Sequence, residues 1–301
     1  MVHISKNDVV KKVDKTVGKK AMVSIKRYIK EVDPALWGTN KPKEFLMNAL
    51  YLSIFKYVEN IGFTKLIENT KAWNGTTDRS LNHNSQKILD CLAFWGEGQI
   101  QTGDQHIWDQ NSKGTKKPKL MKDVNLWMDS TDIALKGKFK SRKSNPYFSF
   151  KLNRLGRRYM ALMDGKNIVR GFWGGYSPKL YHSHWLEAYR QTLEKKFSGA
   201  TIIADTHFNT KESFKRLKFI CPKYPQSMKA TSKVDDIVTI SKKDKTHNSR
   251  VHKVRAKVEL PFGILKKKYK ALSTPNISDP IVLDNLVSFG IGCLNFKNKN
   301  T

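Results

Sequence analysis

Three acidic residues stand out in this sequence because of the segments in which they fall. Asp129 lies inside a segment whose alternating apolar residues predict a β-strand. Asp205 ends the apolar run ATIIAD, which is typical of a strand buried on both faces. Glu259 lies in a segment of helical periodicity, where eleven Lys and Arg residues between positions 241 and 270 accompany only two acids. Asp is depleted in strands, and open α/β sheets place their sites at the carboxyl ends of strands.

Three carboxylates held together have a specific chemistry. Their oxygens bind Mg²⁺ or Mn²⁺, and two such ions activate a water or a 3′-hydroxyl and stabilise the leaving oxygen when a phosphodiester is cut. We therefore expect the carboxylates of Asp129, Asp205 and Glu259 to lie within about 4 to 8 Å of one another, a span set by two ions roughly 4 Å apart. Asp132 is three residues from Asp129, so it should face the opposite side of the strand.

Structural roles for the same acids remain open from the sequence. Asp129 could cap a turn with Thr131, and Asp205 could be the N-cap of a following helix. Glu259 could form an ion pair with Arg255, which precedes it by one helical turn.

Composition indicates a polyanionic partner. The 301 residues carry a formal charge of +30 with a pI near 10.0, and the 11% of aromatic residues favour nucleic acid over a membrane surface. No run approaches the roughly 20 apolar residues of a spanning helix, and the start has no signal-peptide core, so we expect a soluble, intracellular protein. The three cysteines are far apart, which supports neither a disulfide framework nor a structural zinc site.

The first part of the chain is predicted to be helical. Residues 1–40 form a basic segment with a short helix or two at the edge of disorder, and residues 41–110 contain three helices with tight joints. This order fits a helix-turn-helix, although any three-helix unit would look similar. Its last helix would present polar side chains to a major groove, namely Asn82, His83, Asn84, Gln86 and Lys87. The polar stretch after Gly96 is interpreted as a linker or exposed loop.

The rest of the chain, residues 120–298, has the pattern of an α/β domain. Four strands joined as antiparallel hairpins are predicted at 122–135, 147–153, 157–164 and 167–176. The segments that follow are a helix at 182–197, the buried strand at 200–205, a helix at 210–219 and a long helix at 246–272. The predicted fold class is therefore α/β, preceded by an all-α region.

Five stretches carry a resemblance to a known family: LWMDSTDIALKG, SFKLNRLGRRYMALMDGKN, WGGYSPKLY, GATIIADTHF and VRAKVELPFGILKKKYKAL. In this order, and over well over half of the chain, they resemble the DDE transposases of the PIF/Harbinger kind. The resemblance implies an RNase H-like domain, a catalytic and metal-binding triad of Asp129, Asp205 and Glu259, and Mg²⁺ as cofactor with Mn²⁺ as its substitute. It also implies an N-terminal helix-turn-helix, and Arg255 as the companion of the glutamate. Thr131 and His207 are expected beside the carboxylates.

By this resemblance the protein would be a nuclear DNA transposase and endonuclease that cuts transposon ends and joins 3′-hydroxyls to target DNA. Double-stranded DNA, a Myb-like protein and further copies of the chain are the expected partners, with no membrane. Two alternatives stay open: a domesticated transposase-derived protein that binds DNA without cutting it, and a helix-turn-helix regulator whose acids are structural. Two features depart from the family pattern, namely His182, where relatives often have an acid, and the 54-residue spacing from Asp205 to Glu259.

Cations are expected to flank the acidic site, because a polyanion must be held against carboxylates that repel it. The residues predicted to follow the DNA backbone are Lys140, Arg142, Lys143, Arg157, Lys266, Lys267, Lys268 and Lys270. The alternative is a charged face that is merely solvated.

Overall fold

A computed structural model describes residues 3–32, 43–74, 78–117, 121–137, 144–208, 214–223 and 241–300. Within these ranges, the side chains at 43, 72, 74, 78–80, 82–83 and 258–260 lie outside the description.

The first part of the chain is helical. Its helices are α1 Lys6–Val17, α2 Lys19–Val32, α3 Lys43–Glu59, α4 Phe63–Asn74, α5 Asp78–Gly98 and α6 Gln105–Ser112. The short helix or two expected in residues 1–40 is confirmed over 3–32 by α1 and α2, but near-disorder there is wrong, because Val9 and Val13 of α1 and Ile25 of α2 are fully buried. The predicted linker contains α6, which Asp104 caps by accepting a hydrogen bond from the Ile107 N–H.

Among the described residues, six strands form one mixed sheet. They are β1 Leu126–Ala134, β2 Phe148–Ser149, β3 Arg154–Asp164, β4 Val169–Tyr176, β5 Thr201–Ile203 and β6 Lys218–Ile220. The order is β2-β3-β1-β5-β6, and β4 also pairs with β3. Strands β1, β3 and β4 pair antiparallel, whereas β1, β5 and β6 pair parallel. An antiparallel meander extended by two parallel strands beside its first strand is RNase H-like, which confirms the expected fold class.

Six further α-helices lie in the described part of the chain: α7 His182–Ala188, α8 Arg190–Lys196, α9 Lys242–Arg255, α10 Leu260–Lys268, α11 Lys270–Ser273 and α12 Pro280–Lys299. The helix predicted at 182–197 is interrupted at Tyr189. The helix predicted at 210–219 is wrong in its described part, where β6 extends the sheet beside β5. The long helix predicted at 246–272 is divided by a 3₁₀ turn at Ala256–Glu259, and Pro261, which has no N–H to donate, lies in the first turn of α10.

Different helices cover the two faces of the sheet. Because side chains alternate along β1, Leu126 and Met128 point to one face and pack with Trp185 of α7. Trp127 points to the other face and packs with Val254 of α9. Strand β1 is therefore covered on both sides at the point where Asp129 follows.

A third apolar cluster joins the N-terminal helices to the sheet. Val13 of α1, Leu50 of α3 and Leu286 of α12 belong to the same cluster as Ile133 of β1 and Tyr159 of β3. The helical region and the α/β region therefore share one core. The domain boundaries expected near 40, 110 and 120 remain predictions.

The contact between α5 and α12 depends on two glycines. A Cβ added to Gly292 would lie 2.2 Å from the Cα of Gly96, and a Cβ on Gly96 would lie 2.5 Å from the carbonyl oxygen of Ser288. Both distances are too short for any side chain, so the two helix backbones touch directly.

Helix α12 also closes the edge of β4. Buried Asn295 accepts a hydrogen bond from the Val169 N–H at 2.8 Å, and its amide donates to the Val169 carbonyl at 2.8 Å. One side chain thus makes both of the hydrogen bonds that a neighbouring strand would make with Val169.

Gly292→Ala should destabilise the protein by about 2 kcal/mol or more, because the added methyl forces α5 and α12 apart. Gly263→Ala is the matched control, since a Cβ there meets no atom within 4 Å in the middle of α10. That change should raise the free energy of unfolding by up to about 1 kcal/mol. Urea unfolding of the two variants measures both effects, and equal stability of Gly292→Ala and the parent would contradict the close helix contact.

Candidate active site

The register of two parallel strands brings Asp129 and Asp205 side by side. Leu126 pairs with Ile202 and Trp127 pairs with Ile203. Two residues further along each chain, the same offset aligns Asp129 with Asp205. Both acids therefore lie at the carboxyl end of adjacent strands, where α/β sheets place their sites.

Helix α9 ends directly above this point because Trp127 fixes it. The indole Nε1 of Trp127 donates to the carbonyl of Val254 at 2.9 Å, which satisfies one of the carbonyls left free in the last turn of a helix. Lys257, just beyond the helix, lies over the Trp127 ring at 5.2 Å and donates to the Gly165 carbonyl. The next residue after Val254 is Arg255, whose side chain is thereby directed at the acids.

Arg255 lies between the two aspartates. Its Nη1 is 3.6 Å from Oδ1 of Asp129 and 4.0 Å from Oδ2 of Asp205. The two carboxylate oxygens are therefore no further apart than the sum of these distances, which lies below the upper limit expected for this pair. The side chain of Glu259 lies outside the described residues, so its place in the triad and its ion pair with Arg255 remain predictions.

The two carboxyl groups differ in their electrostatics. Burial raises the pKa of Asp129 to about 6, although the Ser130 N–H and Arg255 oppose the rise. Burial also acts to raise the pKa of Asp205, but the Thr206 N–H at 2.6 Å and Arg255 outweigh it, so this pKa is lowered. Thr206 donates to Oδ1 of Asp205 with both its N–H and its hydroxyl, which leaves Oδ2 facing Arg255.

A histidine that the sequence marked only as a departure from the family pattern lies in the site. His182 Nε2 is 2.6 Å from the Ser130 hydroxyl, and its ring packs against Phe208 and stacks on His207. Burial, Arg158 and His207 lower the pKa of His182 to about 4, so the imidazole is neutral near pH 7. No local signal in the sequence could place it there, because it begins α7 about fifty residues from Ser130.

Asp132 has a structural partner of its own. Arg158, directly opposite on β3, donates from Nε to Oδ1 of Asp132 at 2.8 Å and from Nη1 to the Leu180 carbonyl at 3.0 Å. The Ser149 hydroxyl donates to Oδ2 of Asp132 at 2.6 Å. The Asp132 carboxylate is thus fully engaged by Arg158 and Ser149, although it lines the same cavity as Asp129.

The two aspartates open into a cavity of about 1050 Å³. Basic side chains dominate its charge, and Lys266 of α10 donates to the Thr131 hydroxyl at 3.1 Å. Besides Asp129, Asp132 and Asp205, the charged and histidine side chains of its wall are Lys151, Arg158, Lys179, His182, His207, Arg255 and Lys266.

Three of the cations predicted to flank the acids lie elsewhere. Arg157 forms a two-pronged ion pair with Asp284 of α12, at 2.9 Å from Nε and 2.6 Å from Nη2. Lys268 donates to the Thr16 carbonyl of α1 at 2.8 Å, and Lys270 pairs with Glu59 of α3. These side chains face the helical core rather than the cavity, so they tie α10, α11 and α12 to the rest of the fold.

The remaining predicted DNA contacts are partly outside the description. Lys140, Arg142 and Lys143 fall there, as do the side chains of Asn82 and His83. Lys87 and Lys267 are exposed, and Asn84 is half-buried. Gln86 donates to Asp90 at 3.0 Å, and Asp90 also accepts from Asn285 of α12, so this part of α5 faces the protein. The helix-turn-helix therefore remains a prediction.

The donors at the site suit a hard divalent ion. Within the described ranges, no three His, Cys, Asp or Glu side chains form a group that could hold a metal. The carboxylates of Asp129 and Asp205 nevertheless share the guanidinium of Arg255. A positive charge therefore already lies between them, at the place a bound cation would take. Oxygen donors of this kind are those that Mg²⁺ and Mn²⁺ prefer, with Glu259 as the predicted third ligand.

Residues 122–276, just over half of the chain, match the family model described as Transposase DDE domain. The chain belongs to this family of DDE transposases. The match includes Asp129, Asp205 and Glu259. Comparisons with curated proteins and with solved structures gave no match. None of the transposase's described helices is both long and apolar enough to cross a membrane.

The metal-free transposase should gain stability from Asp129→Asn at alkaline pH. Because folding raises the pKa of Asp129 from 3.8 to about 6, ionisation opposes folding, with no cost below pH about 4 and a full cost above pH about 6. A shift of about two units corresponds to about 3 kcal/mol. In EDTA, Asp129→Asn should therefore raise the free energy of unfolding by up to about 3 kcal/mol at pH 8 and leave it unchanged at pH 4.

Two variants control this measurement. Asp205→Asn should lower stability at pH 8, since the pKa of Asp205 is depressed and its ionised form stabilises the fold. Asp123→Asn, at an exposed carboxylate just before β1, should have no effect. A pH-independent effect of Asp129→Asn would show that the carboxyl is not desolvated.

Proposed function

We propose that this DDE transposase is of the PIF/Harbinger kind and that it cuts phosphodiester bonds at transposon ends and joins the 3′-hydroxyls to target DNA. The observation that carries the proposal is the meeting of Asp129 and Asp205 at one guanidinium, inside a cavity whose other charges are mainly positive. The five sequence stretches of the family, which occur in order, support the subtype.

Asp129, Asp205 and Glu259 would hold Mg²⁺, for which Mn²⁺ substitutes. When bound, two such ions supply an activated water or 3′-hydroxyl and a stabilised leaving oxygen. The protein's own contribution is orientation. Thr206 fixes Asp205 from one side, and the Trp127 hydrogen bond sets the position of Arg255.

The basic wall of the cavity holds the DNA strand. Carboxylates repel phosphates, so a strand can approach Asp129 only where cations offset that repulsion. Lys151, Lys179 and Lys266 line the cavity with the acids and are suited to this role. The guanidinium of Arg158 donates hydrogen bonds to Asp132, so it contributes positive electrostatic potential to the cavity rather than hydrogen bonds to a phosphate.

The wider biology follows from the family resemblance and from the formal charge of +30. We propose a nuclear protein that recognises double-stranded DNA through residues 41–110 as a helix-turn-helix. A Myb-like protein partner and assembly into a homo-oligomer belong to the same proposal.

The deciding experiment is nicking of supercoiled DNA that carries the transposon ends, with Mg²⁺ or Mn²⁺. Asp129→Asn and Asp205→Asn should each reduce the rate by more than about 100-fold, since a metal ligand supplies several kcal/mol of transition-state stabilisation. Asp123→Asn makes the same change of charge at a position outside the cavity, and this variant should cut at the rate of the parent. A chain that binds these DNAs but nicks none of them would be a domesticated DNA-binding protein instead.

Divalent ions should also stabilise the transposase without any DNA. Ions that bind only the folded state raise the melting temperature by mass action, and Mn²⁺ should act at lower concentration than Mg²⁺. EDTA should reverse the rise, Asp129→Asn and Glu259→Gln should weaken it, and Asp123→Asn should retain it. If Glu259→Gln keeps the full rise, Glu259 is not a ligand.

A further inference from the structure

Two exposed aromatic rings border the cavity that contains the aspartates. Phe150 is 69% exposed and lies between β2 and β3, and Tyr181 is 70% exposed and precedes α7. Both line the same cavity as Asp129 and Asp205. Large aromatic side chains normally contribute to the core, whereas these two open rings offer flat apolar faces to a ligand in the cavity.

Each ring is held in place by a neighbouring ring. Phe150 packs at 88° on buried Phe148, with 5.3 Å between centroids. Tyr181 packs at 78° on His184, with 5.6 Å between centroids. These contacts orient the rings but leave about 70% of each side chain accessible, so little rotamer freedom is lost when a second flat group stacks on them.

A lysine accompanies each ring. Lys151 follows Phe150 directly, Lys179 lies two residues before Tyr181, and both lysines line the cavity. Rings next to cations are how proteins bind single-stranded nucleic acid, with bases on the rings and phosphates on the cations. In an intact duplex the base faces are covered by their neighbours, and only the phosphates are available to such a surface.

We infer that the cavity binds unpaired nucleotides beside the cut, with bases stacked on Phe150 and Tyr181 and phosphates at Lys151 and Lys179. The inference rests on the proposed function, because it takes DNA as the substrate of this cavity. It adds that the strand is separated from its complement when it reaches Asp129 and Asp205.

The test measures binding by the full chain in EDTA, where no strand is cut. Two DNA ends that share one strand are compared. In the first the complement pairs throughout, and in the second several terminal bases are mismatched. One of the terminal bases of the shared strand is the fluorescent base 2-aminopurine. The unpaired end should bind more tightly, and the fluorescence should change as its base stacks. Phe150→Ala and Tyr181→Ala should each weaken binding of the unpaired end by about 5- to 100-fold and leave the paired end unaffected.

Matched variants separate stacking from general damage. Phe150→Trp and Tyr181→Phe keep a flat ring and should retain the preference. Phe94→Ala removes another ring that is 64% exposed, on α5 and outside the cavity, and should change neither affinity. Thermal melting identifies any variant that does not fold, and the conservative pair then decides the role of the ring.

The outcomes distinguish this inference from the proposed function. Equal binding of both ends, unaffected by the alanine variants, overturns the inference even if Mg²⁺-dependent nicking is observed. A preference for the unpaired end without nicking supports the stacking site and overturns the proposed endonuclease activity. Absence of binding to either DNA overturns both.

Discussion

The guanidinium of Arg255 is the charge on which the site depends. Two carboxylates as close as those of Asp129 and Asp205 repel each other, and a half-buried position strengthens the repulsion. Arg255 offsets it in the metal-free protein. Its own position follows from Trp127, which faces the side of β1 that α9 covers and holds the end of that helix. The alternation of side chains along β1 therefore determines the positions of both Asp129 and its counter-charge, Arg255.

The sequence predicted the elements of the sheet better than their arrangement. Strands β1, β3, β4 and β5 follow from alternating or continuous apolar residues, which are local signals. The adjacency of Asp129 and Asp205 was expected from the chemistry of paired carboxylates and from the family resemblance, because the offset between β1 and β5 is a non-local property that no local pattern reports. Arg255 was assigned to Glu259 on helical spacing and on the family resemblance. Spacing along a helix gives no information about the contacts that Arg255 makes with Asp129 and Asp205 of the sheet.

Two of the wrong predictions share a cause. Helical periodicity was inferred over 210–219 and across 256–260, yet the first of these segments contributes a strand and the second a 3₁₀ turn. In both places tertiary contacts outweigh intrinsic preference: β6 completes the parallel side of the sheet, and the 3₁₀ turn separates α9 from α10. At the N-terminus the high charge concealed a buried stripe, because each turn of α1 and α2 needs only one or two apolar residues to pack.

The hydrogen bonds of Asn295 have a consequence for the behaviour of the protein in solution. An edge strand with open N–H and C=O groups is a template on which another chain can add a strand, and such addition leads to aggregation. On the β4 edge the amide of Asn295 occupies both groups of Val169, while on the opposite edge β6 has only three residues. Strand addition is thereby blocked at Val169 on one edge and limited by the short length of β6 on the other. A protein that must stay dispersed while it searches DNA benefits from edges that recruit no second copy by strand pairing.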